Sequence, residues 1–360
     1  MIIARLQRLG AAALTCIDPE TAHGLSIRAL ATGLATPARV PADRRLQVNA
    51  AGVRFPNPLG MAAGYDKNAE VPDALLRLGF GFAEAGTVTP LPQPGNPKPR
   101  IFRLRGDAAV INRLGFNNEG HDAVFRRLEA RRGRSGIVGI NIGANKDSAD
   151  RIADYAAGAR RFAPLASYLT VNISSPNTPG LRALQSREAL GHLLRRVREA
   201  RQDSGATPPI FLKIAPDLTE ADMEDIAAEV LERGIEGLII SNTTIAREGL
   251  TDRAASEAGG VSGRPLFGRS TAVLARMRKL AGPRIAIIGA GGVGSAHDVL
   301  EKIRAGADLV QLYTAMIYAG PGLPAAILAD LSKQLSDLRV NAISDLRDTA
   351  VEEWSRRPIG

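Results

Sequence analysis

The chain has 360 residues, 45% of them apolar and 23% charged, with a formal net charge of +9; this is the composition of a folded protein with a sizeable core and excludes a disordered scaffold. Aromatic residues make up only 4% and the arginines are scattered over many helices, so there is no stacking platform for single-stranded nucleic acid and no nucleic-acid partner is expected. The positive charge points instead to a small anionic substrate, a phosphate-bearing cofactor or an acidic lipid surface. The single cysteine, Cys16, excludes an internal disulfide, and the absence of clustered thiols excludes a thiolate metal site; a reducing compartment is the natural reading.

No run of 18 apolar residues occurs, so the chain is not expected to span a bilayer. Met1 to Leu34 places apolar positions around Arg5, Arg8 and Arg28 and reads as two short helices divided near Asp18 and Pro19. Asp18 suits the cap and Pro19 the first helical position. Two readings stay open: a basic amphipathic pair lying on a membrane surface, or a pair packed on the domain as ordinary core.

After Pro41 a hairpin-like stretch from Leu46 to Phe55, turning at Ala51 and Gly52, leads into a regular alternation. The expected strands are Leu59 to Ala63, Phe82 to Val88, Ile137 to Ile142, Tyr168 to Ile173, Ile210 to Ile214, Gly237 to Ile240, Ile285 to Ile288 and Leu309 to Leu312. Helical stretches separate them, among them Ala69 to Leu78, Glu119 to Arg131, Arg187 to Arg201, Glu220 to Arg233, Ser270 to Leu280 and Ala296 to Ala305. Continuous apolar strands alternating with helices imply parallel crossovers, and eight such units close most simply into an α/β (β/α)₈ barrel. Thr89 to Glu119, with five prolines before Ile101, is expected to be a loop carrying short strands of its own. The expected organisation is an N-terminal helical extension over residues 1–40, a barrel over 41–340 and a tail of unknown role over 341–360.

In such a barrel the residues at the carboxyl ends of the strands line the active site. Asparagine and threonine recur at nearly every mouth: Thr87, Asn141, Asn172, Asn177, Thr178, Asn242, Thr243 and Thr314. Gly289, Gly291, Gly292 and Gly294, before a helix opening near Ser295, suit backbone amides approaching a phosphate; a tight turn needing glycine is the plainer reading. The same run lacks the βαβ unit of a dinucleotide fingerprint, which argues against NAD there. Lys67 and Lys213 stand at strand mouths, as charge partners for an anion or as Schiff-base formers. The Asn172 to Thr178 run offers neutral donors and acceptors without a carboxylate, which suits a planar amide-rich ligand, although on spacing alone a helix-capping turn is favoured.

Longer motifs carry a family resemblance. VNISSPNTPGLR from Val171, GTVTPLPQPGNPKPR from Gly86, INRLGFNN from Ile111, KIAPDL at Lys213, SNTT at Ser241, GGVSGRPL at Gly259 and IIGAGGV at Ile287 resemble dihydroorotate dehydrogenases. Ser175 stands where class 1 members carry a cysteine and class 2 members a serine, and the N-terminal extension also resembles class 2.

The resemblance implies oxidation of dihydroorotate to orotate in pyrimidine biosynthesis. Ser175 would take a proton from C5, helped by Thr178 or by water near Phe116, and hydride would pass from C6 to FMN. FMN would be held by Ala63, Gly64, Lys67, Thr87, Asn141, Asn172, Lys213, Ser241, Gly263, Gly292, Tyr313 and Thr314. Lys67, Asn112, Arg113, Leu114, Gly115, Phe116, Asn172, Asn177, Asn242 and Thr243 would hold the substrate. A membrane quinone would take the electrons in a tunnel near His23, Arg103 and Tyr313. The implied protein is a monomer, peripheral on the cytoplasmic face of the cell membrane through its N-terminal helices. Two other readings are a related FMN barrel using NAD or fumarate, and a non-catalytic phosphate-binding barrel.

Overall fold

The computed structural model describes residues 14–33, 39–178 and 180–359. The first of the two expected N-terminal helices falls mainly on residues 1–13, outside the described residues. The second is α1, Pro19–Ala31, and it starts as its sequence dictates: Pro19 occupies the first turn and the Asp18 carboxylate accepts the Thr21 N–H at 2.8 Å. Its buried face is Ala22, Ile27 and Leu30. Arg100 ties it down from the loop ahead of the cap sheet, donating to both Glu20 oxygens at 2.6 and 3.1 Å.

A hairpin of β1 (Val48–Ala50) and β2 (Val53–Phe55) follows, with Ala51 and Gly52 at its turn in the left-handed region, φ 49° and 77°. The eight expected strands are all present, as β3 (Leu59–Met61), β4 (Phe82–Val88), β7 (Ile137–Ile142), β8 (Tyr168–Asn172), β9 (Ile210–Ile214), β10 (Gly237–Ile240), β12 (Ala286–Ala290) and β13 (Leu309–Leu312). They close in the order β10-β12-β13-β3-β4-β7-β8-β9, every neighbouring pair parallel.

The remaining helices are α2 (Pro72–Arg77), α3 (Gly120–Ala130), α4 (Arg151–Phe162), α5 (Arg187–Asp203), α6 (Glu220–Glu232), α7 (Phe267–Ala281), α8 (Ala296–Arg304), α9 (Thr314–Ala319), α10 (Leu323–Asp337) and α11 (Val351–Ser355). They present Leu, Ile, Val and Ala to the outside of the barrel, where these residues form one continuous core with the strands. The Thr89 to Glu119 segment does carry strands of its own, β5 (Ile101–Leu104) and β6 (Ala109–Asn112). They pair antiparallel, and a strand not foreseen in the sequence, β11 (Gly260–Gly263), joins β6 to make a three-stranded cap sheet.

The barrel floor is built from glycines opposite aromatic rings. Gly60 on β3 is in register with Phe82 on β4, Gly139 on β7 with Tyr168 on β8, and Gly237 on β10 with Phe211 on β9. A Cβ on any of these glycines would lie 2.1–2.3 Å from the facing ring. The rings meet edge to face, with centroids 6.2 Å apart for Phe82 and Tyr168 and 5.3 Å for Tyr168 and Phe211.

Residues 341–359 are packed on the barrel. Trp354 is buried, meets Phe267 edge to face at 5.9 Å and donates its indole N–H to Glu301 at 3.0 Å. Arg276 holds the Ser355 and Arg357 carbonyls at 2.9 and 2.7 Å.

Gly139→Ala tests the floor. The added methyl forces Tyr168 out of its place, and the expected destabilisation is about 2–3 kcal/mol, read as a lower urea midpoint at unchanged slope. Alanine at Gly133, an exposed turn glycine with nothing within 4 Å of the new carbon but φ of 82°, is expected to cost about 1 kcal/mol.

Candidate active site

Above the aromatic floor the barrel interior turns polar. Glu84 on β4 is fully buried. Its carboxylate accepts from Asn141 Nδ2 at 2.7 Å, Tyr168 OH at 3.0 Å and Gln311 Nε2 at 2.8 Å. The Asn141 oxygen takes the Thr87 hydroxyl at 2.6 Å, and Thr87 Oγ1 in turn accepts from Asn172 Nδ2 at 3.0 Å. Beyond Asn172 the Ser174 hydroxyl donates to its Oδ1 at 2.8 Å and accepts from Asn242 Nδ2 at 2.9 Å. One hydrogen-bonded chain thus joins β4, β7, β8 and the loop after β10.

This network forms the base of a cavity of about 740 Å³, within the size range of a cofactor or ligand site. Lys213, at the end of β9, is buried and reaches its wall. No hydrogen-bond acceptor satisfies its ammonium among the described residues; burial lowers its pKa and the Glu84 charge works against that. Lys67, after β3, donates to the Gly64 carbonyl at 2.8 Å and is pushed down to about 8 by burial. The turn bearing it is held by Asp66, whose buried carboxylate accepts the Glu70 and Val71 N–H groups at 2.8 and 2.9 Å.

The loop after β8 brings Ser175, Pro176 and Asn177 to the same wall, and the Ser175 hydroxyl accepts the Asn177 N–H at 3.2 Å. Facing them is the turn over residues 112–116. Gln93 holds it by the Gly115 and Phe116 carbonyls at 3.1 and 3.2 Å, and Asn96 by the Arg113 carbonyl at 3.0 Å. Asn96 also donates to the Asn177 carbonyl at 3.2 Å, so a single amide positions both loops.

At one end of the cavity lies the glycine run. Gly291 and Gly292 have φ of 101° and 79°, and a Cβ on Gly292 would meet the Phe267 backbone at 2.5–2.6 Å. Only glycine fits this close approach to Phe267, and Gly291, Gly292 and Gly294 line the cavity. Gly263 (φ 97°) and Thr314 stand beside it. Asp298 is the only carboxylate among the wall residues, and it accepts the Gly294 N–H at 2.9 Å.

Part of the wall is apolar, with Pro19, Ala22, Ala29 and Leu30 of α1 and with Met316 and Ile317. His23, Tyr65 and Tyr313 form an aromatic cluster on the same wall. Tyr65 meets both other rings edge to face at 5.3 and 5.5 Å, and Tyr313 OH lies 3.4 Å from His23 Nδ1. Burial, with the Lys67 charge as a lesser cause, pushes His23 down to about 3. Arg103 also reaches the wall, and its guanidinium donates to the carbonyls of Leu14, Thr15 and Ile17 at 3.1, 3.1 and 2.6 Å.

Of the residues singled out in the sequence, most share this one wall: Ala63, Gly64, Lys67, Thr87, Asn112, Leu114, Gly115, Phe116, Asn172, Ser175, Asn177, Lys213, Ser241, Asn242, Thr243, Gly263, Gly292, Tyr313, Thr314, His23 and Arg103. Three stand back from it. Asn141 lies behind Thr87. Arg113 turns away to an ion pair with Glu257 at 2.7 Å, over the Phe102 ring. Thr178 is buried beside the Ser175 loop without reaching the wall. Sequence reading missed Glu84, Tyr168 and Gln311; the signal was a carboxylate inside the apolar run of β4, where only a paired charge is tolerated.

The family model for dihydroorotate dehydrogenase matches residues 45–335. A dihydroorotate dehydrogenase (quinone) of Mesorhizobium japonicum is 66% identical over 355 residues, covering 98% of this chain and 99% of that protein. One of Rhizobium rhizogenes is 62% identical over 363 residues, covering 99% and 100%. The crystal structure of the Eimeria tenella enzyme in complex with ferulenol superposes with a TM-score of 0.88 at 41% identity, covering 92% of this chain and 95% of that one.

The state of His23 has a measurable consequence. Its folded pKa of about 3 lies below the ordinary 6.5, so between these values the unfolded chain binds a proton that the folded chain refuses, and stability falls as pH drops through that window. His23→Gln is expected to lose less stability than the wild type between pH 7 and pH 5, as read from urea midpoints. His121, pushed down to about 4 by burial, acts equally in both proteins and cancels in the difference.

Proposed function

The chain belongs to the dihydroorotate dehydrogenase family, and on that premise we propose that it oxidises (S)-dihydroorotate to orotate in pyrimidine biosynthesis, with FMN bound in the barrel, Ser175 as the base and a membrane quinone as final electron acceptor. The observation that carries this reading is the continuity of one cavity from an amide-lined, lysine-bearing chamber to an apolar passage under α1. A water-soluble anion and a lipid-soluble acceptor suit its two ends.

The residues fit FMN. The bare backbone of the Gly291–Gly292 loop, beside Gly263, Tyr313 and Thr314, suits a phosphate, and the unsatisfied Lys213 ammonium suits an electron-rich ring edge. Ala63, Gly64, Lys67, Thr87, Asn172 and Ser241 complete the site, and Asn141 acts on it through Thr87. Bound there, FMN supplies a two-electron acceptor for the hydride that leaves C6.

Lys67 pairs with the substrate carboxylate. Asn172, Asn177 and Asn242, with Thr243 and the turn over residues 112–116, fix the ring by its edges and hold C5 against Ser175. The serine hydroxyl takes the C5 proton. A hydroxyl is a weak base, so the proton must be passed on, by way of Thr178 or of water held near Phe116. His23, Arg103 and Tyr313 belong to the quinone passage. Ile17 and Leu25 on the outside of the α1 region are 40% and 42% exposed, which supports peripheral contact with a membrane; the proposed protein is a monomer on its cytoplasmic face. Among the described residues no helix is long and apolar enough to cross a membrane.

The test is the visible spectrum of the purified protein without oxygen. Dihydroorotate is expected to bleach a flavin band and a soluble quinone to restore it; bleaching without recovery overturns the quinone, and a colourless protein that takes up no FMN overturns the whole reading. Ser175→Ala is expected to lower kcat by about 10²–10⁴-fold with the flavin retained. Lys67→Met, which removes a charge-assisted hydrogen bond, is expected to raise KM for dihydroorotate by about 10–100-fold.

A further inference from the structure

Glu84 touches neither end of the cavity, yet the direction of the hydrogen bonds that run from it to Asn172 follows from this side chain. An ionised carboxylate has no hydrogen to give, so its partners must donate. Asn141 therefore turns Nδ2 toward Glu84, at 2.7 Å, and its oxygen toward Thr87. Thr87 spends its one hydroxyl proton there and has only lone pairs left for Asn172, which donates Nδ2 at 3.0 Å. The Asn172 oxygen then faces away and receives the Ser174 hydroxyl at 2.8 Å, which leaves Ser174 Oγ to accept from Asn242 Nδ2 at 2.9 Å.

All links point the same way. Asn172 and Asn242 each retain a second Nδ2 hydrogen without a partner among the described residues, and both side chains line the cavity. Were the links from Glu84 to run backwards, Asn172 would turn its oxygen where it now turns an N–H group, whereas Asn242 is held independently by the Thr243 N–H on its Oδ1 at 2.8 Å.

We propose that Glu84 is a positioning residue: through Asn141 and Thr87 it fixes the polarity of the relay, so that Asn172 meets a ligand as a donor and selects one bearing an acceptor oxygen. This deepens, and rests on, the functional reading above, since orotate carries carbonyl and carboxylate oxygens. A merely structural Glu84 would tie β4 to β7, β8 and β13 and would leave ligand affinity unchanged in any variant that folds.

The experiment is orotate binding by calorimetry to the purified flavin-loaded protein, with melting temperatures recorded alongside. Glu84→Met has a similar length and no acceptor oxygen. Tyr168 OH and Gln311 Nε2 already lie 3.4 Å apart, and the Gln311 oxygen has no partner among the described residues. These two side chains therefore satisfy each other in that variant, and the loss falls on Asn141. Orotate is expected to bind about tenfold more weakly, by the loss of one oriented donor. Glu84→Asp keeps two acceptor oxygens on a shorter arm; it is expected to stay within about threefold of the wild type even where it melts lower than Glu84→Met.

Wild-type affinity in Glu84→Met, or affinities that simply follow the melting temperatures, would overturn the proposal. Should neither Glu84 variant fold, Asn141→Leu decides. Asn141 lies off the cavity wall, its loss removes the acceptor that commits the Thr87 hydroxyl and so the constraint on Asn172, and the expected weakening is about fivefold; unchanged affinity overturns the proposal. A wild type that does not bind orotate sinks the functional reading and this inference with it, whereas tight wild-type binding beside indifferent variants sinks the inference alone.

Discussion

A closed parallel barrel has to fill its own interior, and in this chain the filling begins with three aromatic rings set against three glycines. Phe82, Tyr168 and Phe211 each need the absence of a side chain at the facing register position, and Gly60, Gly139 and Gly237 supply it. Strand period is two, so a slip of one residue would send the rings outward and leave the floor empty. Once that layer is locked, the interior positions above it are counted from it: Glu84 comes two residues after Phe82 on the same face, and Lys213 two after Phe211. The chemistry of the mouth is thus set by steric constraints at the base.

The dry floor also raises the stakes of the polar layer. Away from water each donor and acceptor must find a partner in the protein, and a half-satisfied network is worse than none. The chain answers with one carboxylate serving three donors and with amides linked in series. The wall facing the cavity therefore carries neutral amides, hydroxyls and two lysines, with Asp298 turned to the backbone of its own loop. An anionic ligand meets the positive charge of the lysines there, and the Asp298 carboxylate that would repel it is engaged by an internal bond.

Much of this was legible beforehand. The eight strands stood out because their apolar runs are bounded by glycine, proline and helix periodicity, and the mouth residues because position at a strand end is itself a signal. The glycine run was ambiguous by spacing; its positive φ values and the Phe267 backbone beneath Gly292 explain why glycine is needed there, on the phosphate reading and on the plain-turn reading alike. Other features were out of reach. β11 is a four-residue strand, Gly260–Gly263, whose pairing with β6 depends on a partner about 150 residues away and leaves no local pattern. Arg113 belongs to a motif that reads as one unit, but its long side chain follows Glu257 away from the cavity. Asn141 looked like a mouth residue and proved to be the link between Glu84 and Thr87, because strand-end position does not say how deep a side chain sits.

The packing of residues 341–359 gives the tail a mechanical place. Phe267 has Trp354 against its ring and the close-fitting Gly292 against its backbone. The turn bearing Trp354 is therefore the buttress behind the glycine loop, although about sixty residues separate the two in sequence. Pairing all eight barrel strands does not by itself brace that loop: this wall of the cavity is firm only once Trp354 has docked on Phe267.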